Sequence, residues 1–324
     1  MSEEDPPPRR DRVPGPVELR DDALVFSDRF ALSFQRTLRI PDDGRRYPLP
    51  PGLGRFPLYR VRDFADCVPE GWDREHGYFI PMYQREAMWI DFDGAHWKPN
   101  AVKVGVGMVN AVSGTPWDLH LHADPQDYLV VPDQPWFDGI KAEEGLIRQF
   151  IAVPLGTGQT VEAQVRGTES ESALRIAVFE PRPGRFPDNP PKDLAFHSKG
   201  DAPAMAMQAD GRSMGLGAGG RMKQKVYPDS YGIDTWSGQN PQVAVIYIIN
   251  SEQFEAITGR RPPETPVDAA TYTSYGFPWF DLYDEHKPDL PASDVLRGVK
   301  SPGELEGTVD SSVAVPDSAV IKLK

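Results

Sequence analysis

The chain has 324 residues, a single cysteine and a formal charge of −13 at pH 7. That charge opposes the field needed to grip phosphate backbones or anionic lipid, which excludes nucleic acid and membrane surfaces as partners. The lone thiol, Cys67, can form neither an internal disulfide nor a thiolate metal site, and no secretory-type apolar stretch or bilayer-length run is present, so the expected setting is cytoplasmic.

Residues 1–17 are acidic, then rich in proline and arginine, and read as a disordered tail because they offer little apolar surface to offset the entropy of ordering. From Phe30 to Ile40 the apolar residues Phe30, Leu32, Phe34, Leu38 and Ile40 fall on even positions, the period-two signature of a strand with one face on a core. Pro41–Pro57 is crowded with proline and glycine and predicts a surface connection. Strands are predicted next at 78–82, 87–92, 101–112, 128–131, 146–153, 161–165 and 174–179. Residues 181–220, interrupted by prolines and short of large apolar side chains, predict a long loop or lid inserted into a single β-rich domain spanning 18–300.

A strand at Met222–Tyr227 and the continuously apolar Gln242–Ile249 resume the sheet, the second buried on both faces. Asn250 with Gln253 resembles a capping box that opens a helix ended by Gly259, and Thr265, Pro266 and Asp268 open another through about Tyr272. Phe277, Trp279, Phe280 and Tyr283 pack that helical end onto the sheet. Residues 301–324 read as a tail holding an edge strand at Val320–Leu323. The sum is an all-β (β-rich) fold, an antiparallel β-sandwich or jelly-roll core with short C-terminal helices.

Asp118, His120, His122 and Asp124 alternate with Leu119, Leu121 and Ala123, so an extended backbone places two imidazoles and two carboxylates on one face. Such a set can hold a single divalent metal ion, with His96 or His197 as a further ligand. Gly114, His120, His122 and Asp127 together resemble the first cupin motif, and Pro154 and Gly156 echo the second, although Gln159 and Ala163 stand where that family has histidine and asparagine. The resemblance implies a mononuclear metal-dependent enzyme with His120, His122 and Asp127 as ligands.

Gly211, Ser213 and Gly215 match the G-x-S-x-G nucleophile elbow, with Asp281 or Asp284 and His286 downstream in triad order. An elbow needs a strand before it and a helix after it, and Leu216–Gly220 is too glycine-rich to start a helix. Gly215, Gly217 and Gly220 fit a dinucleotide fingerprint, but the alternation from Arg221 to Val226 favours a strand over the helix that fingerprint requires. Gly217 and Gly219 beside Arg221 and Lys223 offer a cradle for a small anion, against the favoured reading of a glycine loop that leads into an edge strand whose lysines deter edge pairing. Trp136 and Phe137, between Pro132 and Gly139, predict an exposed aromatic tip that meets a partner. Strand patterning thus outweighs every catalytic motif. The expectation is a non-catalytic binding or assembly module, engaging a protein partner or a second copy by strand addition. A cupin-type enzyme and a serine hydrolase are the alternatives.

Overall fold

The computed structural model describes residues 16–170, 173–190, 213–264, 268–282 and 287–323. In chain order the principal elements are β1 (Ala23–Ser27), β2 (Phe30–Thr37), β3 (Gly77–Pro81), β4 (Ala87–Gly94), β5 (Asn100–Val106), β6 (Leu129–Val131), β7 (Gly139–Glu143), β8 (Leu146–Pro154), α1 (Val161–Arg166), β9 (Leu174–Phe179), β10 (Met214–Lys223), β11 (Gln242–Ile249), α2 (Ser251–Thr258), α3 (Ala269–Ser274), β12 (Trp279–Leu282), α4 (Asp294–Arg297), α5 (Pro302–Glu306) and β13 (Val320–Leu323).

One sheet runs β1, β2, β4, β8, β10 with antiparallel neighbours, closed by the short strands Glu18–Arg20 at the β1 edge and Arg46–Tyr47 at the β10 edge. β8 pairs with β10 along its length; on its other side it divides, meeting β7 at Arg148 and Gln149 and β4 at Phe150 and Ile151. The second sheet runs β5, β9, β11, β3, and β6 lies beside the first half of β5. Its β11–β3 pair is parallel, so the architecture is mixed where alternation alone predicted antiparallel pairing.

The two sheets face each other. Leu32, Phe34, Ile90 and Phe150 from the first share one buried cluster with Val104, Ile176 and Ile246 from the second. The outer face of the second sheet is covered as well: Phe254 and Ile257 of α2 pack on Phe79, Val245 and Tyr247, while Tyr128 and Trp236 pack on Ala101, Ala177 and Phe179. All seven residues of β5 are therefore buried, including the lysine in its middle. Among the described residues no helix is long and apolar enough to cross a membrane.

Several local expectations need correction. Residues 161–165 form a helix, not a strand, because Thr160 accepts a hydrogen bond from Ala163 N and Gly167 closes the other end with a left-handed φ of 71°. The expected strand at Met222–Tyr227 begins instead at Met214 and ends at Lys223, so the last part of the expected loop at 181–220 is an interior strand. Glycine permits this: a Cβ at Gly217 would lie 2.9 Å from Val153 Cγ1, and one at Gly219 would lie 2.8 Å from Ile151 Cγ2. Residues 191–212 and the tail at 1–15 lie outside the described residues. The helix after Asn250 forms as expected, with Asn250 accepting from Gln253 N at 2.8 Å. The next one is capped by Asp268, with Thr265 and Pro266 outside the described residues. The edge strand β13 forms and pairs in parallel with β12, whereas the segment before it is tied to the sheets through α5, whose Glu304 pairs with Arg148 at 2.8 Å.

Candidate functional site

Along β5 the valines at 102, 104 and 106 point into the sandwich, which turns Lys103 and Gly105 toward the outer face. A Cβ on Gly105 would overlap the Trp117 ring. The absent side chain lets that indole lie flat on the strand and draws the segment 117–127 across Lys103. Lys103 is fully buried there, and its Nζ meets Asp118 Oδ1 at 2.6 Å, Asp127 Oδ2 at 2.7 Å and the His120 carbonyl at 2.5 Å. An ammonium has three donors, and each has one acceptor.

Asp127, itself only 1 % exposed, accepts the His122 amide at 2.9 Å and the ring Nδ1 at 2.8 Å. The other ring nitrogen stands 3.7 Å from Asp118 Oδ2. Burial pushes the Asp118 carboxyl up, but the Lys103 hydrogen bond, the His120 amide and the charges of Lys103 and His122 outweigh it and hold it below the ordinary range.

Asp118, His122 and Asp127 offer ligand atoms within 4.8 Å of one another, the grouping a metal would need. Two of the three expected ligands, His122 and Asp127, are thus brought together, and Asp118 joins them. His120 contributes its carbonyl to Lys103 while its ring is exposed. A divalent ion there would compete with a cation already in place. Both carboxylates already bind one buried cation, the Lys103 ammonium, and a metal seated between them would add two further positive charges against it. His96 and Asp124 are exposed and outside this group, and His197 lies outside the described residues. Pro154, the first part of the echo of the second cupin motif, ends β8 in the opposite sheet, and Gly156 lies in the turn that follows it.

Ser213 is exposed, accepts from Gln253 Nε2 at 3.0 Å, and is followed by a strand rather than a helix. Asp281 lies 3.6 Å from Lys223, at the far end of β10. Ten residues of strand put roughly 30 Å between those ends, so Ser213 and Asp281 are not brought together; His286, Asp284 and Gly211 lie outside the described residues. The anion cradle is not formed either, since Gly217 and Gly219 lie within the extended β10, with Gly217 opposite Ile151 of β8. Arg221 stands 3.5 Å from Glu143 and 4.0 Å from Glu304. The exposed aromatic tip is also corrected: Trp136–Phe137 pairs with β4, and Phe137 is fully buried, edge-on to Phe150 at 5.7 Å. The core takes these rings because they continue its apolar layer.

What sequence reasoning missed is a cleft of about 720 Å³ where Arg46–Tyr47 runs beside β10 and the C-terminal segment returns to it. Arg45, Arg46, Lys223 and Lys322 line it against the carboxylates of Asp281 and Asp317, with Val313, Val315 and Pro48 as apolar wall. Tyr47 anchors that wall. Its hydroxyl donates to Asp43 at 2.7 Å and accepts from Val313 N at 3.3 Å, and burial, with the Asp43 bond, pushes it up to about 12. Lys223 was legible as a candidate; Lys322 and Val313 meet it only through the tertiary fold. No protein-family model matches the chain, and neither a curated protein nor a solved structure matches it.

Proposed function

We propose that this protein is a non-catalytic binding module that takes a small molecule in the cleft between Arg45–Pro48, the end of β10 and the C-terminal segment. The observation that carries the reading is the cleft itself. Its volume of about 720 Å³ falls in the range of small-molecule sites, and half of its lining is charged, which suits a polar or ionic ligand more than an apolar one.

Two further observations support binding over chemistry and over assembly. The Lys103 ammonium already holds the carboxylates of Asp118 and Asp127, and the triad candidates that are described lie at opposite ends of β10. Both sheets end on strands of two or three residues, Glu18–Arg20, Arg46–Tyr47, Val109–Asn110 and Tyr59–Arg60, which offer little edge for strand addition. The acidic chain and single cysteine support a cytoplasmic role without nucleic acid.

Ligand-observed NMR against a charge-balanced fragment library, with hits mapped on backbone amides, tests the reading. Hits that shift Tyr47, Lys223 and Val315 are expected; a screen with no hit at that cleft overturns it. Elemental analysis is expected to find metal-free protein. Stoichiometric zinc lost in a His120→Ala, His122→Ala double variant would restore the metal alternative.

A further inference from the structure

We infer that the cleft is built for a small organic dianion with an apolar body, such as a phosphate monoester or an aromatic dicarboxylate. The inference rests on the binding reading and adds the ligand's chemistry. It starts from the cations. In a chain with 48 acidic and 35 basic residues, a basic side chain has partners in excess. Lys223 takes Asp281 at 3.6 Å, and Arg45 stands 3.7 Å from Asp43. Arg46 and Lys322 line the same cleft, are exposed, and make no side-chain hydrogen bond or ion pair among the described residues.

Four cations stand around one cleft against the two carboxylates of Asp281 and Asp317, which leaves an excess of positive charge, and Arg46 and Lys322 hold no carboxylate in a direct ion pair among the described residues. A ligand with two negative charges offsets that excess. The guanidinium of Arg46 presents a planar pair of donors that matches a carboxylate or phosphate edge, and the ammonium of Lys322 supplies a second point charge. In the same cleft Val313, Val315 and Pro48 give an apolar surface for the rest of the molecule. The local excess of positive charge also raises the concentration of anions at a site whose surrounding protein repels them. Affinity therefore falls as salt rises.

Isothermal titration of the full chain at pH 8 and low salt separates the outcomes, using phenyl phosphate and phthalate as dianions, benzoate as monoanion and benzyl alcohol as the uncharged control. Both dianions are expected to bind, benzoate about tenfold more weakly, and benzyl alcohol more weakly still. Arg46→Gln and Lys322→Gln should each weaken phenyl phosphate about tenfold without lowering the melting temperature, since neither side chain has a structural partner and each removal relieves repulsion. Benzyl alcohol binding in the cleft as tightly as phenyl phosphate overturns the charge selectivity and leaves the binding reading standing. Dianion binding that ignores both substitutions places the site elsewhere and overturns the inference. So does silence from all four probes, and the fragment screen then decides separately whether the cleft binds uncharged molecules.

Discussion

Lys103 shows how one side chain sets the chemistry of a whole constellation. Without its ammonium the carboxylates of Asp118 and Asp127 face each other, and Asp127 is almost wholly out of solvent. Lys103→Met is therefore expected to cost about 3–5 kcal/mol, the usual penalty for leaving a buried charge unpaired. Adding Asp127→Asn to that variant should recover part of the loss. Urea unfolding of the two single variants and the double variant checks this; costs that simply add would show that the three acceptors are not a clamp on the lysine. Asp138 poses the opposite problem. It is buried without a cation, its Oδ2 has no hydrogen-bond partner among the described residues, and burial pushes its carboxyl up to about 7 despite bonds from Trp136 and Gln224. A carboxyl raised above its unfolded value of about 3.9 stabilises the fold below that pH, and the contribution is lost as pH rises through about 7. Asp138→Asn should change little at pH 4 and stabilise by roughly 1–3 kcal/mol at pH 8, read as the shift in urea midpoint at each pH. An equal effect at both pH values would mean that the carboxyl does not titrate in this window.

At the scale of elements, β10 is the strand most dependent on what its residues lack. Gly219→Val brings a Cβ to 2.8 Å from Ile151 Cγ2 and 3.2 Å from the Gln149 carbonyl, and the crowding should cost about 1–3 kcal/mol by chemical denaturation. A neutral result would mean that β8 moves away freely. The same glycines explain why this strand was illegible. Sequence patterning registers side chains, so a run chosen for close backbone approach reads as loop, while the alternation of β2 is read without difficulty, although the fold buries seven of its eight residues and not one face alone. α1 was misread because Val161 and Val165 are β-branched and the run is short; its caps, Thr160 and Gly167, were the better signal. Asn250 and Gly259 gave that signal for α2 and it held. Within the site, the alternation of Asp118, His120 and His122 was legible. Lys103 lies within the strand expected at 101–112, but nothing in its neighbours marks it as buried, and only the loop folded over Gly105 covers it.

At the scale of the molecule, the C-terminal part is a brace rather than an appendage. Asp289 accepts from buried Lys141 and from Val226 N, Ser293 Oγ donates to the Ser113 carbonyl at 2.6 Å, and Glu304 holds Arg148. Beyond α5 the attachments are fewer: Asp310 meets Arg39 and the Asp42 amide, Val313 meets Tyr47, and β13 lies on β12. Two truncations should therefore behave differently. Removing 308–324 strips an exposed strand and one wall of the cleft, and is expected to leave a folded sheet protein that unfolds in one transition, weakened by about 1–3 kcal/mol and unable to bind in the cleft. Removing 287–324 leaves Lys141 buried without its carboxylate, a loss of about 3–5 kcal/mol. It also takes Leu296 and Val299 out of the core, so the total consumes most of a typical margin of about 5–15 kcal/mol. That chain should be unfolded or insoluble, as judged by circular dichroism and urea titration. A stable, cooperatively folding 1–286 fragment would show that the sandwich closes without its brace.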